Sequence, residues 1–271
     1  MARIVKKNVM DKIVSKTKKP ISKDDICEGL RKLGICRGDT VLVHSSLSSF
    51  GFVIGAEVAL YEALKEAVGK NGTIVVASQS ADNTDPTNWL NPAVPDEWLD
   101  VIKEKMPEYN SKCYNTMNMG RLVNMVLQDK KSVRSNHPNS SFAAVGKNAK
   151  KICNVHNLQP AFGRRTPLGH LYNTNAKVLL LGVGYYNSTC FHLSEVLSNK
   201  NKTEKNGARF NGRWVDYIDF EYINDDFDSL GFAMEEEIEV KKTVIGLAEC
   251  KCFNLHDGVD YGKKWILRNR S

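Results

Sequence analysis

Helical and strand-like hydrophobic patterns alternate along the first third of the chain. Residues 24–33 carry apolar side chains at helical spacing behind Ser22 and Asp25, which have the form of a capping box and predict a helix. Short apolar runs follow at residues 41–44 and 73–77, with a helical pattern between them. Two strands joined by one helix have the length of a βαβ unit, so we expect these strands to pair in parallel.

The second half of the chain predicts further strands and a closing helix. Residues 177–183 form a continuous apolar run, typical of a strand covered on both faces, and a helical pattern follows at 191–197. Alternating aromatic and polar positions after about residue 205 predict antiparallel strands, before a helix around 259–267. Residues 78–107 have the composition of a long loop, which in a compact domain is usually functional.

These patterns predict a single α/β domain. Its central sheet is largely parallel or mixed and is flanked by helices, with antiparallel strands in the C-terminal third. With 271 residues, of which 42% are hydrophobic and 25% charged, the composition excludes disordered, coiled-coil and fibrous classes. The sequence has neither an apolar run long enough to cross a membrane nor a signal-peptide pattern, so we expect no membrane contact and a cytoplasmic location.

Lysine and arginine exceed aspartate and glutamate by seven, and much of that excess lies near the start of the chain. We therefore divide the chain into a basic arm over residues 1–19 and a domain over 20–271. The arm is either a solvated segment or a contact for a polyanion. Neither an RNA-binding aromatic signature nor a DNA-reading helix accompanies it, which argues against nucleic acid as a partner.

The cysteines point to no disulfide framework and no metal. Seven cysteines are an odd number without paired spacing, as expected for reduced thiols. Cys250 and Cys252 lie near His256, but zinc sites require a second ligand pair of similar spacing. We expect no metal cofactor.

Three segments could bring polar side chains to the carboxyl edge of the sheet, where open α/β sheets bind ligands. The serine-rich residues 44–51 follow a strand and suit an anion such as a phosphate, although serine loops are also common turns. Residues 134–144 combine a cation, an imidazole and several hydroxyls. His192 and Glu195 share one face of the helix predicted at 191–197.

The third segment has the chemistry of a general base. A carboxylate at Glu195 can orient the imidazole of His192, and a position in the first helical turn favours its neutral state. Taken alone, such a pair is more often a surface ion pair than a catalytic one. Cys190, two residues before the histidine, is a rival candidate as a nucleophile.

Taken in order, several blocks resemble the aminoglycoside 3-N-acetyltransferase family over roughly residues 20–268. The blocks are residues 40–51, 72–76, 134–144, 166–172 and 178–184, the last followed by 189–195. The resemblance implies a single α/β domain, unrelated to the GNAT acetyltransferases, that transfers an acetyl group from acetyl-coenzyme A to a primary amine. It also implies a role in antibiotic resistance.

The resemblance also implies roles for individual residues. The family's histidine falls on His192 and its acid on Glu195, with Ser78 as a candidate to stabilise the oxyanion. Along the coenzyme A site it places Ser45, Ser46, Leu47, Ser48, His137, Ser140, Ser141 and Phe142. A polycationic acceptor would need carboxylates, for which the sequence offers Asp82, Asp85 and Glu97.

The chain departs from the family where many relatives carry an acidic residue six positions before the histidine, because Tyr186 stands there. The acceptor therefore has two readings: an aminoglycoside, or a non-antibiotic amino sugar of polysaccharide or secondary metabolism. A noncatalytic protein that binds coenzyme A or a polyanion is a further alternative. We expect a small-molecule amine as partner and leave a homodimer open as the assembly.

Overall fold

The structure is a computed structural model that describes residues 10–80, 83–90, 92–112, 116 and 119–270. The strands are β1 (Thr40–Ser45), β2 (Thr73–Ala77), β3 (Val133–Arg134), β4 (Phe142–Gly146), β5 (Lys177–Leu181), β6 (Thr203–Phe210), β7 (Arg213–Phe220), β8 (Val240–Ile245) and β9 (Ala248–Asn254). The helices are α1 (residues 10–16), α2 (Lys23–Lys32), α3 (Ala56–Val68), α4 (Leu99–Lys105), α5 (Arg121–Gln128), α6 (Ala149–Cys153), α7 (Pro167–Tyr172), α8 (Phe191–Ser198), α9 (Phe227–Met234) and α10 (Leu255–Asn269).

Seven strands form one mixed sheet in the order β3-β4-β2-β1-β5-β9-β8. The three central strands are parallel, since β1 pairs in parallel with both β2 and β5. The outer strands β4 and β9 run antiparallel to their central neighbours. The predicted α/β domain with a mixed sheet is therefore confirmed, and so is the parallel pairing of the first two strands.

The central strands bury both faces, as their continuous apolar runs predict. Side chains alternate along a strand. Val41 and Val43 of β1 therefore face the core that α2, α3 and α5 cover, whereas Leu42 faces the core that α7 to α10 cover. The capping box at the start of α2 is present, with Ser22 and Asp25 bonded reciprocally. Two cores fix the sheet from opposite sides and leave its carboxyl edge open.

Three features differ from the prediction. The loop predicted over residues 78–107 contains the helix α4, whose short, weakly apolar sequence gives little periodic signal. The strand β4 (Phe142–Gly146) begins at the end of the polar block 134–144, where the preceding serines and asparagines obscure it. The alternating segment after residue 205 forms a separate two-stranded ribbon, β6-β7, and the antiparallel strands that extend the main sheet are β8 and β9.

Within the residues described, no helix has both the length and the apolar character needed to cross a membrane.

Candidate functional site

The loops that follow β1, β2 and β5 surround one cavity of about 900 Å³ at the carboxyl edge of the sheet. The serine-rich loop after β1 forms one side of it, and Gln79 after β2 lies beside that loop. The segment after β5 contributes Tyr186, Asn187, Thr189 and His192. The cavity thus collects polar side chains from three neighbouring strand ends.

All four predicted residues of the serine loop line the cavity: Ser45, Ser46, Leu47 and Ser48. Ser45 ends β1, and the backbone N–H of Ser46 donates to the carbonyl of Leu181 at 3.0 Å, which fixes the loop to β5. The chain then turns through a short 3-10 helix, Leu47–Phe50. Small side chains and a tight turn leave room for a ligand against the backbone.

His192 lines the same cavity and is held in one orientation. Its Nδ1 lies 2.6 Å from Oε2 of Glu195, so Nε2 is the nitrogen left for the cavity. Phe162 stacks on the ring at a centroid distance of 4.9 Å, and Tyr222 and Phe227 contact it from other sides. The side chain is only 14% exposed. Aromatic packing and one carboxylate therefore fix both the tilt and the position of the imidazole.

Glu195 is fully buried and is the centre of a polar cluster. Its Oε1 accepts hydrogen bonds from Nδ2 of Asn201 at 2.8 Å, from the backbone N–H of Ile223 at 3.1 Å and from Nη1 of Arg270 at 2.5 Å. Arg270 also forms a bidentate pair with Asp226 at 2.8 and 2.5 Å. A buried carboxylate is stable only when it is paired and hydrogen-bonded, and this cluster meets that requirement.

Three members of this cluster were not predicted from the sequence: Asn201, Asp226 and Arg270. Arg270 lies 75 residues from Glu195 along the chain, beyond the end of α10. No local motif connects residues that far apart.

The His137 block lies away from the cavity. Nε2 of His137 bonds to the carbonyl of Leu158 at 3.1 Å, and Nδ1 accepts from the backbone N–H of Ser140 at 2.9 Å. Phe142 is fully buried in β4. Neither these residues nor Ser141 line the cavity. Their contacts hold the turn before β4, and their role beside coenzyme A stays a prediction.

Ser78 is buried with Ser141 rather than exposed to the cavity. The two hydroxyl oxygens are 3.1 Å apart, and the carbonyl of Ser78 accepts from Nη2 of Arg134 at 2.7 Å. Its neighbours Ala77 and Gln79 line the cavity instead. Successive side chains of an extended chain point to opposite sides, so Ser78 lies on the side opposite to the cavity-lining Ala77 and Gln79. Its role at an oxyanion stays a prediction.

Two of the predicted acceptor carboxylates also lie elsewhere. Asp85 caps a 3-10 turn through the backbone N–H of Thr87 at 3.0 Å and pairs with Lys103 at 3.2 Å. Glu97 is exposed on another short turn. Asp82 lies outside the described residues. Over the part of the wall that the structure describes, the cavity is lined by no aspartate or glutamate and by one cation, Arg121.

Cys190 does not line the cavity and is fully buried. Burial raises the pKa of its thiol to about 12, so the nucleophilic thiolate is scarce at neutral pH. Among the described residues, no group of three or more histidine, cysteine, aspartate or glutamate side chains is arranged to hold a metal ion.

The first described helix, α1, lies at the cavity. Met10 and Ile13 line the cavity, and Oγ1 of Thr17 accepts from the backbone N–H of Phe52 at 2.8 Å. This part of the basic arm is folded against the domain. The division of the chain at residue 20 stays a prediction, and residues 1–9 lie outside the described part.

Buried histidines make the fold sensitive to acid. Burial lowers the pKa of His137 to about 4 from the ordinary 6.5. Between these values the unfolded chain binds a proton that the folded chain does not, so the free energy of unfolding falls as the pH drops from about 6.5 to about 4. The loss from this residue is about 3 kcal/mol.

Urea unfolding at several pH values measures this loss. His137→Asn keeps an acceptor near the Nδ1 position but does not titrate, so we expect a shallower fall of stability with acid. If the free energy of unfolding of that variant fell with pH as steeply as that of the wild type, the loss of stability could not be assigned to His137.

Burial also lowers the pKa of His44 to about 4, with a contribution from nearby His192. His44 is therefore neutral at pH 7. It ends the apolar part of β1 and lines the cavity with His192.

A family model, a curated relative and a solved structure all relate this chain to the same family. A sequence model of the aminoglycoside 3-N-acetyltransferase family matches residues 42–267. YokD of Bacillus subtilis strain 168, named an SPbeta prophage-derived aminoglycoside N(3')-acetyltransferase-like protein, is 44% identical over 97% of this chain and 98% of its own. Its crystal structure has a TM-score of 0.92, covering 96% of this chain and 98% of that one.

Two more distant proteins extend the comparison. Aminoglycoside N(3)-acetyltransferase VII of Streptomyces paromomycinus is 28% identical over 91% of this chain and 92% of its own. A solved structure described as AAC-IIIb binary with CoASH has a TM-score of 0.83 at 21% identity, covering 92% of this chain and 97% of that one. At that identity the likeness shows a shared fold.

Proposed function

The chain belongs to the aminoglycoside 3-N-acetyltransferase family of acyltransferases, and from that membership we propose that it transfers an acetyl group from acetyl-coenzyme A to a primary amine of an aminoglycoside or similar amino sugar, with His192 as general base. The observation that carries the proposal is the orientation of His192. Its Nδ1 is bonded to a buried carboxylate, and its other nitrogen is left for a cavity beside the serine loop.

The imidazole supplies what the reaction needs. An amine is protonated at neutral pH and attacks a thioester only after it loses a proton. His192 takes that proton at Nε2, and Glu195 stabilises the resulting imidazolium through Nδ1–H. The nitrogen then attacks the carbonyl carbon, and the C–S bond breaks with its electron pair on the sulfur. The thiolate of coenzyme A takes the first proton from His192, and the second proton that the nitrogen loses in becoming an amide passes to solvent.

The transfer is direct, without an acetyl-enzyme. Cys190 is buried, and burial disfavours its thiolate, so the rival nucleophile is poorly suited to attack. The serine loop supports the second half of the proposal, since Ser45, Ser46, Leu47 and Ser48 line the cavity that we propose for the thioester. A volume of about 900 Å³ is large enough for a pantetheine arm together with a small amine.

A second candidate acceptor, a non-antibiotic amino sugar with fewer positive charges, is favoured by the charge of the cavity. Aminoglycosides are polycations, and a site for them gathers carboxylates. The described lining has none, and the exposed Tyr186 stands where many relatives carry an acid. Both acceptors use the same base and the same thioester.

Release of coenzyme A thiol with a panel of amines tests the proposal. We expect thiol release that depends on both acetyl-coenzyme A and an amine, with product mass increased by one acetyl group. The panel compares polycationic aminoglycosides with glucosamine and a nucleotide-linked amino sugar, and the ratio of kcat/KM values assigns the acceptor class. Binding of coenzyme A without turnover of any amine would favour the noncatalytic alternative.

A further inference from the structure

A buried carboxylate of the β6-β7 ribbon is hydrogen-bonded to two segments whose aromatic rings contact His192. Asp219 lies near the end of β7 and is 5% exposed. Its Oδ2 accepts a hydrogen bond from the backbone N–H of Ala161 at 2.9 Å. Its Oδ1 accepts from the hydroxyl of Tyr222 at 3.1 Å and from the backbone N–H of Phe220 at 2.8 Å. The base mechanism gives this carboxylate no task.

The contacts of Asp219 lead to two of the three aromatic rings that pack on the imidazole of His192. Phe162 follows Ala161 and stacks on the imidazole, with centroids 4.9 Å apart and planes at 26°. The ring of Tyr222 makes T-shaped contacts with the imidazole at 5.3 Å and with the ring of Phe162 at 4.7 Å. The hydroxyl of Tyr222 also accepts from the backbone N–H of Phe162 at 3.4 Å. One carboxylate therefore connects both rings.

A second set of hydrogen bonds holds the carbonyl of Ala161. Nε2 of His156 lies 2.8 Å from that oxygen, and because a carbonyl only accepts, Nε2 carries the proton. Nδ1 of His156 then accepts from the hydroxyl of Ser135 at 2.9 Å, and the same hydroxyl oxygen accepts from the backbone N–H of Phe142 in β4 at 2.9 Å. The backbone beside the stacking ring is thus fixed between the main sheet and the ribbon.

The direction of Nε2 in His192 needs this support. Glu195 holds the imidazole only at Nδ1, and a single hydrogen bond leaves the ring free to tilt about that contact. A base must bring its nitrogen within about 3 Å of the proton it removes, and a displacement of about 1 Å can cost about 10²-fold in rate. Rings packed on the faces and edges of the imidazole prevent that displacement.

On the basis of the proposed function, we infer that Asp219 is a positioning residue for the general base, which fixes Phe162 and Tyr222 and through them the direction of His192 Nε2. Asp219, Phe162 and Tyr222 do not line the cavity, so they act without touching either substrate. The β6-β7 ribbon, which is separate from the main sheet, thereby has a part in catalysis.

Asp219→Asn tests this role with a side chain of the same shape. Whichever way its amide turns, asparagine presents a donor where one of the three hydrogen bonds needs an acceptor. We expect kcat to fall about tenfold or more, with little change in KM for acetyl-coenzyme A or for the amine. Asp216→Asn, on an exposed residue of the same strand, is the matched control and should keep the kcat of the wild type. Normal kcat in folded Asp219→Asn, or a loss confined to KM, would overturn the inference.

A double variant tests whether Asp219 acts through the stacked ring. Phe162→Leu removes that ring and should also lower kcat. Residues that act through one another have non-additive effects. The loss of kcat in Asp219→Asn/Phe162→Leu should therefore be clearly smaller than the product of the two single losses. A loss equal to that product would show that Asp219 acts independently of Phe162, contrary to the inference.

Nuclear magnetic resonance of the protein with ¹³C-labelled histidine gives a readout that needs no turnover. The Cε1–H signal of His192, assigned by its disappearance in His192→Ala, senses the ring current of Phe162. In Asp219→Asn this signal should move toward its position in Phe162→Leu, and in Asp216→Asn it should not move. A signal at the wild-type position in folded Asp219→Asn would contradict the positioning role.

Tyr222→Phe is the second variant, for use where Asp219→Asn does not fold. It keeps the ring but removes the hydroxyl that joins Asp219 to Phe162. The signal of His192 should move in the same direction as in Asp219→Asn, and an unmoved signal would count equally against the inference. Failure of the proposed function is distinct, because the wild type would then acetylate no amine whatever the signal does.

Discussion

Replacing His192 with alanine is expected to lower kcat by about 10³-fold while the affinity for coenzyme A stays nearly constant. In the proposed mechanism the ring accepts the amine proton, and without the ring water must take that proton. The side chain is held by Glu195 and by aromatic neighbours rather than by the serine loop, so its removal leaves the loop in place. Thiol release gives kcat, and calorimetric titration with coenzyme A gives the affinity.

A matched substitution controls for the loss of an imidazole. His256→Ala removes an exposed histidine that does not line the cavity, and its kcat should equal that of the wild type. His192→Ala should also retain its near-ultraviolet circular dichroism. Turnover within a few-fold of the wild type in folded His192→Ala would remove the histidine from the mechanism.

Arg270 is the second residue whose change should have a large effect. In Arg270→Ala the buried carboxylate of Glu195 loses its cation, and such a break costs about 3–5 kcal/mol of stability. Glu195 would then hold His192 less firmly, and we expect kcat to fall about tenfold or more even where the protein stays folded. Urea unfolding and thiol release at low temperature measure the two effects separately.

Two further variants give this prediction its specificity. Arg268→Ala removes an exposed arginine two residues earlier, so stability and turnover should both stay close to wild type. Arg270→Lys keeps the charge but loses the bidentate pair with Asp226. Its free energy of unfolding and its kcat should lie between those of the wild type and those of Arg270→Ala. If Arg268→Ala and Arg270→Ala had the same free energy of unfolding and the same kcat, a positioning role for Arg270 would be contradicted.

Much of the fold could be predicted because local patterns determine local structure. Continuous apolar runs marked β1, β2 and β5, which are buried on both faces, and a capping box marked α2. The helix α4 and the strand β4 were missed, because their residues carry weak periodicity among polar neighbours. Tertiary contacts decide the structure of such segments.

The site was predictable only where one segment carries both partners. His192 and Glu195 are three residues apart on one helix, so their contact follows from helical spacing. Arg270 reaches Glu195 through the end of α10, and Asp226 fixes it from before α9. No spacing rule predicts contacts between elements so far apart along the chain.

The block around His137 illustrates a different limit. Its hydroxyls and imidazole have the residue types of an anion site, but the imidazole of His137 bonds to the backbone of Ser140 and Leu158. The same polar side chains can bond either to a ligand or to the protein backbone. Only the direction of each side chain in the folded protein shows which of the two it does. That direction depends on which face of the sheet edge each residue occupies.

A crystal structure of the complex with coenzyme A tests the central claim most directly. The account predicts that the pantetheine arm lies along the serine loop, with its sulfur within about 6 Å of His192 Nε2, a span that one attacking amine nitrogen can bridge. A sulfur bound outside this cavity, or separated from Nε2 by protein, would contradict it.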